Sequence, residues 1–390
     1  MTRPAAPTFL GYQRAKGRPG IRNVLLVLNL TGLTAPSARH IAQDLVGSQL
    51  ITMDHGVAIN GRGEAPVNAT VENLARHPNA GAVLILSAHA GKSDALLERL
   101  SEDDRPIAAV SLDDANRDAL DFRTSAVRTG ARLMAEMSRQ QRTPRPWSDL
   151  LIALECGMSD PTSGLVANPL LGLVTDRLVA DGGAAVFGET TEWLGCEAHL
   201  AARAATPEIA AQMTQAVKRR VALARQVGLD LIGNNPNDAN IASGLTTIED
   251  KAIGSIAKSG SAPITAFLDY GAAMHGPGLA AMDGPSYTPE SLTGLVAAGA
   301  QISLFTSGVG NSFVSGLAPT LKITANADTA RNLPVQFDYC CADALTRPDL
   351  MEASVDALIR RIVEVSSGAL TFGEILGESN EVIARFGETL

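Results

Sequence analysis

Between Asp149 and Thr190 the chain reads DLLIALECGMSDPTSGLVANPLLGLVTDRLVADGGAAVFGET. Side chains able to do chemistry gather there: the Cys156 thiol, the Asp160 and Glu189 carboxylates, the Ser163 hydroxyl and the Asn168 amide. Carboxylates move protons or hold cations, and a thiol is a soft metal ligand. No CxxC, HxH or HExxH spacing accompanies them, so spacing alone defines no metal site. The apolar run 150–154 predicts a buried strand. Asn168 before Pro169 predicts a capped helix start, and Ala184 to Phe187 predicts a second strand ending at Glu189. Strand, loop, helix N-terminus and strand form the arrangement with which α/β proteins bind anions.

Four further segments carry polar chemistry. GYQRAKGRPGIRN (11–23) brings Arg14, Lys16, Arg18, Arg22 and Asn23 together before the first strand. Arginines suit carboxylates through bidentate hydrogen bonds, although a basic surface turn has the same composition. His55 ends a strand-like stretch, where an imidazole is either a base or metal ligand, or simply structural. Lys251 follows Thr246 and Thr247, with Thr247 and Asp250 spaced as a capping-box variant. FTSGVGNSFVSG (305–316) is glycine- and serine-rich and offers Thr306, Ser307, Asn311 and backbone N–H groups to an oxyanion. It is followed by no GK[ST] and lacks GxGxxG, so no nucleotide is expected.

The elements that must position these residues alternate. Strands are predicted at 23–30, 81–87, 107–111, 150–154, 184–187, 263–268, 301–306 and 320–324. Helices are predicted at about 36–45, 117–139, 169–181, 207–227 and 348–365. This order predicts an α/β fold of two Rossmann-like parallel-sheet domains with helices on both faces. The polar stretch QQRTPRPWSD (140–149) is the expected linker, giving domains 1–142 and 143–390. The 390 residues carry 32 basic and 41 acidic side chains, a formal net charge of −9. That argues against nucleic acid or anionic lipid as partner. Four cysteines give no disulfide framework, and no apolar run approaches a membrane span; a cytoplasmic protein is expected.

Taken together, GYQRAKGRPGIRN, LARHPNAGAVLIL (74–86), ECGMSDPTSGLVANPLLG (155–172), GETTEWLG (188–195), SGLTTIEDKAIG (243–254), GLAAMDGPSYTPESLTGLVAAGA (278–300), LFTSGVGNSF (304–313) and the closing FGETL resemble the large catalytic region of altronate and galactarate dehydratases, a family that includes the large subunit of sulfolactate sulfo-lyase. The blocks run in family order over nearly the whole chain. Against the family pattern, two cysteines are replaced by Ile59 and Ala90, CGGSD reads Cys156-Gly-Met-Ser-Asp160, and Val309 stands where an arginine is common.

The resemblance implies a lyase that performs β-elimination on a sugar acid or sulfolactate to give a 2-keto acid. It also implies a divalent metal (Fe²⁺, Mn²⁺ or Mg²⁺), a separate small subunit carrying the family's missing domain, and a homo-oligomer. Under that reading His55, Cys156, Asp160, Ser163, Glu189 and Lys251 are the catalytic set, with Asp160 and Glu189 as metal ligands. Arg14, Arg18, Arg22, Asn23, Asn168, Thr306, Ser307 and Asn311 bind the substrate. The replaced thiols leave two alternatives open: an isomerase or racemase acting on another hydroxy acid, and a non-catalytic binding subunit.

Overall fold

Strands and helices alternate along the chain because apolar runs of strand length are separated by amphipathic stretches that cover them. The computed structural model describes residues 6–54, 64–103, 105–229, 231, 241–242 and 247–383. His55, Ile59, Thr246 and the closing FGETL lie outside the described residues.

The first sheet contains β2 (Val24–Asn29), β3 (Gln49–Thr52), β4 (Ala80–Ser87) and β5 (Ile107–Ser111) in the parallel order β3-β2-β4-β5. Every residue of β4 is buried, which is why AGAVLILS reads as an unbroken apolar run. Helices Ala35–Asp44 and Ala119–Met137 cover one face, setting Ile41, Phe122 and Leu133 on Leu25, Val27 and Leu84. The other face packs on helices Glu64–Ala75 and Ala90–Leu100, and also on Leu292, Val296 and Leu317 from the second half. The two halves therefore share one apolar seam.

The second sheet has seven strands: β7 (Leu151–Cys156), β8 (Ala184–Phe187), β9 (Ile264–Leu268), β10 (Gly278–Met282), β11 (Ile302–Thr306), β12 (Thr320–Thr324) and β13 (Tyr339–Cys340). Their order is β13-β12-β11-β7-β8-β10-β9, all parallel. From β7 the chain passes to β8, skips a place to the edge strand β9, returns to β10 between them, then crosses to β11 and winds outward the other way. The point where winding reverses lies between β7 and β11, the doubly wound arrangement whose crevice at the strand C-termini takes ligands. Ile152, Leu154, Ile302 and Leu304 face helices Asn168–Ala180 and Met351–Ser366, while Leu151, Ala153 and Val186 face Leu295 and Tyr270. Burying each such large aliphatic side chain stabilises the fold by about 1.5–3 kcal/mol.

Two local expectations are refined by the structure. The 140–149 stretch, expected as the linker, is not irregular chain: β6 (Arg142–Pro146) pairs antiparallel with β1 (Thr8–Tyr12). An isolated two-stranded ribbon tolerates Pro144 and Pro146 because each strand needs N–H donors on one side only. Arg142 secures it, donating to Leu10 O, Ile21 O and Ser366 O. Asn168 is no cap either. It has helical dihedrals within a helix that continues from a wide turn at Ser163–Ala167. The start lies earlier, where Asp160 accepts from Ser163 N and Pro161 follows. The same acid-or-amide-then-proline signature occurs at both places, and only the first is a helix start. Strand β10 escapes sequence reading because GLAAM has one residue larger than alanine at strand positions before Met282. Among the described residues no helix is long and apolar enough to cross a membrane.

Candidate active site

Cys156 ends β7, and its parity with Ile152 and Leu154 turns it toward the helix Ile248–Ile256 side of the sheet. Close backbone approach brings that helix in. Gly164 lies against Gly254, and any Cβ on Gly172 would meet Ala257 O at 2.3 Å. These two glycines let the Ile248–Ile256 helix and the Ala257–Ser259 turn settle on the mouth of β7.

Lys251, Ser255 and Lys258 follow one another at intervals of four and three, so one helical face presents all three. Lys258 Nζ lies 3.1 Å from Cys156 Sγ and 3.0 Å from Ser255 Oγ, and forms an ion pair with Glu189. Lys251 Nζ lies 3.0 Å from Glu192 Oε1. Cys156 Sγ is 3.8 Å from Glu189 Oε2 and 3.7 Å from Glu192 Oε2. The inner pair is sealed, Lys258 and Glu189 being 2% and 1% exposed; the outer pair, Lys251 and Glu192, is 12% and 11% exposed. Glu189 sits in the left-handed region at φ 68°, a strained conformation for a residue with a Cβ.

Burial sets the electrostatics. It pushes the Cys156 thiol well up, reinforced by Glu189, so the thiol is neutral. Burial would lower Lys258, but the charges of Glu189 and Glu192 outweigh it and raise the group, keeping it an ammonium. Burial likewise raises Glu189 against the pull of Lys258. Glu192 is held below the usual carboxylate range: burial raises it, and Lys251 and Lys258 more than offset that. Glu155, on the opposite face of β7, donates nothing to the cluster. It is raised by burial and by Glu189, and accepts from Ser291 Oγ.

A cleft of about 620 Å³ opens over the outer pair. Cys156, Met158, Glu192 and Lys251 form one side, and Tyr287, Thr288, Asn311 and Phe313 another.

The remaining expected residues divide by location. Asp160, Ser163, Asn168, Thr306 and Ser307 lie at the same sheet edge, bonded to one another and to backbone. Asp160 accepts from Thr162 Oγ1, Ser163 N, Ser163 Oγ and Asn326 Nδ2. Asn168 donates to Gly254 O and accepts from Thr306 Oγ1, and Ser307 Oγ accepts from Gly310 N. Asn311 reaches the cleft wall. The basic loop lies elsewhere. Arg18 donates to Asp149 O and Leu150 O, at the far end of β7, about 20 Å from Cys156 at roughly 3.3 Å per residue. Arg14 donates to Pro78 O, Gln140 Oε1 and Arg22 O. Arg22 pairs with Glu374 and donates to Val365 O and Ala369 O, and Asn23 donates to Met137 O. In the described structure Arg18 and Arg22 join the two halves, while the hydrogen bonds of Arg14 and Asn23 stay within the first.

Among the described residues, the group with metal-ligand spacing is Cys156, Glu189 and Glu192, whose donor atoms lie within 4.8 Å of one another. Glu189 Oε1 is buried with no partner, and the mix of one soft and two hard donors suits a divalent ion. This group includes Glu189 of the two ligands expected from the sequence; Asp160 lies outside it, its oxygens accepting from four donors. Sequence reading passed over Lys258 and Ser255; their spacing from Lys251 was the available signal.

A doubly wound α/β protein with buried lysine–glutamate pairs at its switch point is the class that fold and site define. The chain belongs to the galactarate/altronate dehydratase family. The family described as D-galactarate/Altronate dehydratase, C-terminal, matches residues 147–389, and D-galactarate dehydratase/Altronate hydrolase, second domain, matches residues 11–140. The (2R)-sulfolactate sulfo-lyase subunit beta of Chromohalobacter salexigens is 31% identical over 387 residues, covering 98% of each chain. Altronate dehydratase of Bacillus subtilis is 31% identical, covering 98% of this chain and 78% of its own. Galactarate dehydratase (L-threo-forming) of Escherichia coli is 26% identical over 400 residues, covering 96% of this chain and 76% of its own. These relatives are dehydratases and a sulfo-lyase.

Proposed function

We propose that this protein is a lyase that removes water or sulfite by β-elimination from a 2-hydroxy acid, a sugar acid or 3-sulfolactate, to give a 2-keto acid. The observation that carries this reading is the pair of lysine–glutamate couples at the switch point, the outer one bordering the cleft. Elimination begins with loss of the proton on C2, which is weakly acidic beside the carboxylate. Glu192, kept ionised by Lys251, takes that proton. The Lys251 ammonium neutralises the charge that develops on the substrate carboxylate. The C3–O or C3–S bond then breaks with its electron pair. Hydroxide leaves as water after taking a proton, whereas sulfite leaves as the anion. The resulting enol regains a proton at C3 and becomes the keto acid.

His55 is proposed as the proton donor to hydroxide, and Asn311 as a contact to the substrate. Asp160, Ser163, Asn168, Thr306 and Ser307 keep the loops of the cleft in shape through the hydrogen bonds described above. The divalent ion expected from the family resemblance takes no part in these steps, because the Lys258 ammonium already contacts the Cys156 thiol and the Glu189 carboxylate that would hold it. A separate small subunit is proposed from the likeness to a protein named as a subunit beta.

The test is a screen of aldonates, aldarates and 3-sulfolactate for 2-keto acid and sulfite release. It is run with the chain alone and together with a candidate small subunit, and with added Fe²⁺, Mn²⁺ or Mg²⁺. Turnover is expected on at least one acid, and Glu192→Gln should lower kcat by about 10²–10⁴-fold with the melting temperature unchanged. Wild-type turnover in Glu192→Gln overturns the assignment, and no product from any acid overturns the lyase reading.

A further inference from the structure

We propose that the Lys258 ammonium and a divalent cation are mutually exclusive occupants of the Cys156–Glu189 edge, and that in this chain the ammonium holds it. The inference deepens the reading of this cluster as the catalytic centre and rests on it.

Geometry sets the competition. Metal bonds to sulfur and carboxylate oxygen run to about 2.0–2.3 Å. An ion bound by Cys156 Sγ and Glu189 Oε2 would use the same two atoms that Lys258 Nζ now contacts. Two cations so close in a site sealed from water repel strongly, because little solvent screens them. Charge counting agrees. Lys258 matches Glu189 and Lys251 matches Glu192, so the ion pairs of the cluster already balance. A divalent ion would leave it two positive charges in excess.

The backbone beneath Lys258 is held in place. Thr175 Oγ1 donates to Lys258 O at 3.2 Å, Arg203 donates to Ser259 Oγ and Ser259 O, and Gly172 lies against Ala257 O. These contacts fix the turn that carries the lysine, and its side chain is 2% exposed. Removing the ammonium would have the opposite effect. Glu189, whose Oε1 is already without a partner, would have both oxygens open beside Sγ and the Glu192 carboxylate. An ammonium-filled edge thus becomes a three-donor cation site by one substitution.

The test uses Mn²⁺ as probe, followed by its electron paramagnetic resonance and by equilibrium dialysis, with elemental analysis of the protein as purified. Wild type is expected to carry well under one divalent ion per chain and to bind Mn²⁺ weakly. Lys258→Met should bind one Mn²⁺ at least tenfold more tightly, and the gain should vanish in Lys258→Met/Glu189→Gln. Wild type holding one tightly bound divalent ion per chain, or binding Mn²⁺ as tightly as Lys258→Met, overturns the proposal. If Lys258→Met does not fold, the metal content of wild type decides alone. Metal content and turnover are separate readouts: a metal-free chain that turns over no hydroxy acid sinks the lyase reading and leaves the ammonium assignment standing.

Discussion

At the scale of single residues, partners decide roles. Asp160 and Glu189 look alike in the sequence, each a carboxylate just past a strand. Glu189 retains a buried oxygen with no partner beside Cys156, whereas Asp160 takes four hydrogen bonds and organises its loop. The arginines of the 14–22 loop look like substrate-carboxylate binders; in the structure Arg14 and Arg18 hold backbone carbonyls, and Arg22 grips the chain's own Glu374 carboxylate as well as carbonyls of both halves. A guanidinium satisfies either partner with the same fork, so residue type cannot choose. The packing around Asp160 is also tight. A Cβ on Gly308 would meet Asp160 Cγ at 2.2 Å. Gly308→Ala should therefore push the Asp160 loop aside, lowering stability by about 1–3 kcal/mol. Denaturant unfolding reads this directly, and an unchanged midpoint would show that the loop has room to yield.

At the scale of elements, a buried lysine supports one wall of the cleft. Lys322 on β12 is 3% exposed, stands 4.6 Å from the centre of the Phe305 ring and donates to Asn311 O. Asn311 belongs to the loop that borders the cleft. Burial lowers Lys322 to about 7, against the opposing pull of Asp338 and Glu378. Below pH 7 the group is charged both folded and unfolded, so the full cost of burying the charge is present. Between about 7 and the ordinary lysine value of 10.5 the folded group is neutral and the unfolded one charged, so that cost shrinks as pH rises. The stability of Lys322→Met relative to wild type should accordingly be greatest below pH 7 and decline toward pH 10, by about 1–3 kcal/mol in all. Urea unfolding of both proteins at pH 6 and pH 9.5 measures it; a gap that widens with pH contradicts the assignment. Elements also show where sequence reading worked. The helix Pro207–Gln226 begins as expected, with Thr206 accepting from Ile209 N and proline at its first position. Thr247 likewise caps Ile248–Ile256 by accepting from Asp250 N. Caps are local interactions, and local sequence encodes them.

At the scale of the whole molecule, the seam between the sheets depends on a buried histidine and asparagine. His77 Nε2 meets Ala300 O at 2.9 Å, and its Nδ1 accepts from Asn79 N. Asn79 in turn accepts from Ile21 N and Arg22 N and donates to Gln301 O and Leu317 O. Those partners fix the Nε2–H tautomer, and protonating Nδ1 would remove the acceptor for Asn79 N. Burial lowers His77 to about 3, with Arg105 and Arg14 adding to the effect. Between that value and the ordinary 6.5 the unfolded state binds the extra proton and the folded state does not. Stability should thus fall as pH drops through this window. His77→Gln should cost about 1–3 kcal/mol at pH 7.5 through lost hydrogen bonds and packing, and should flatten the decline below pH 6.5. Unfolding midpoints from pH 7.5 to 4.5 give both slopes, and equal slopes would assign the acid sensitivity to other groups.

The sequence by itself determined what depends on neighbours along the chain: two parallel sheets, most strand and helix positions, the caps at Thr206 and Thr247, and the family. It also marked the end of β7 as the place where chemistry gathers. Tertiary structure alone decided which residues meet there. Lys258 and Ser255 come from a helix about a hundred residues away, brought in by the Gly164–Gly254 and Gly172–Ala257 contacts. It also decided that Arg18 and Arg22 join the halves and that 142–146 is a strand. The physical reason is common to all of these. A charged side chain's role depends on which opposite charge, carbonyl or thiol ends up within about 3 Å. In this fold that is set by backbone packing between segments that share no local signal.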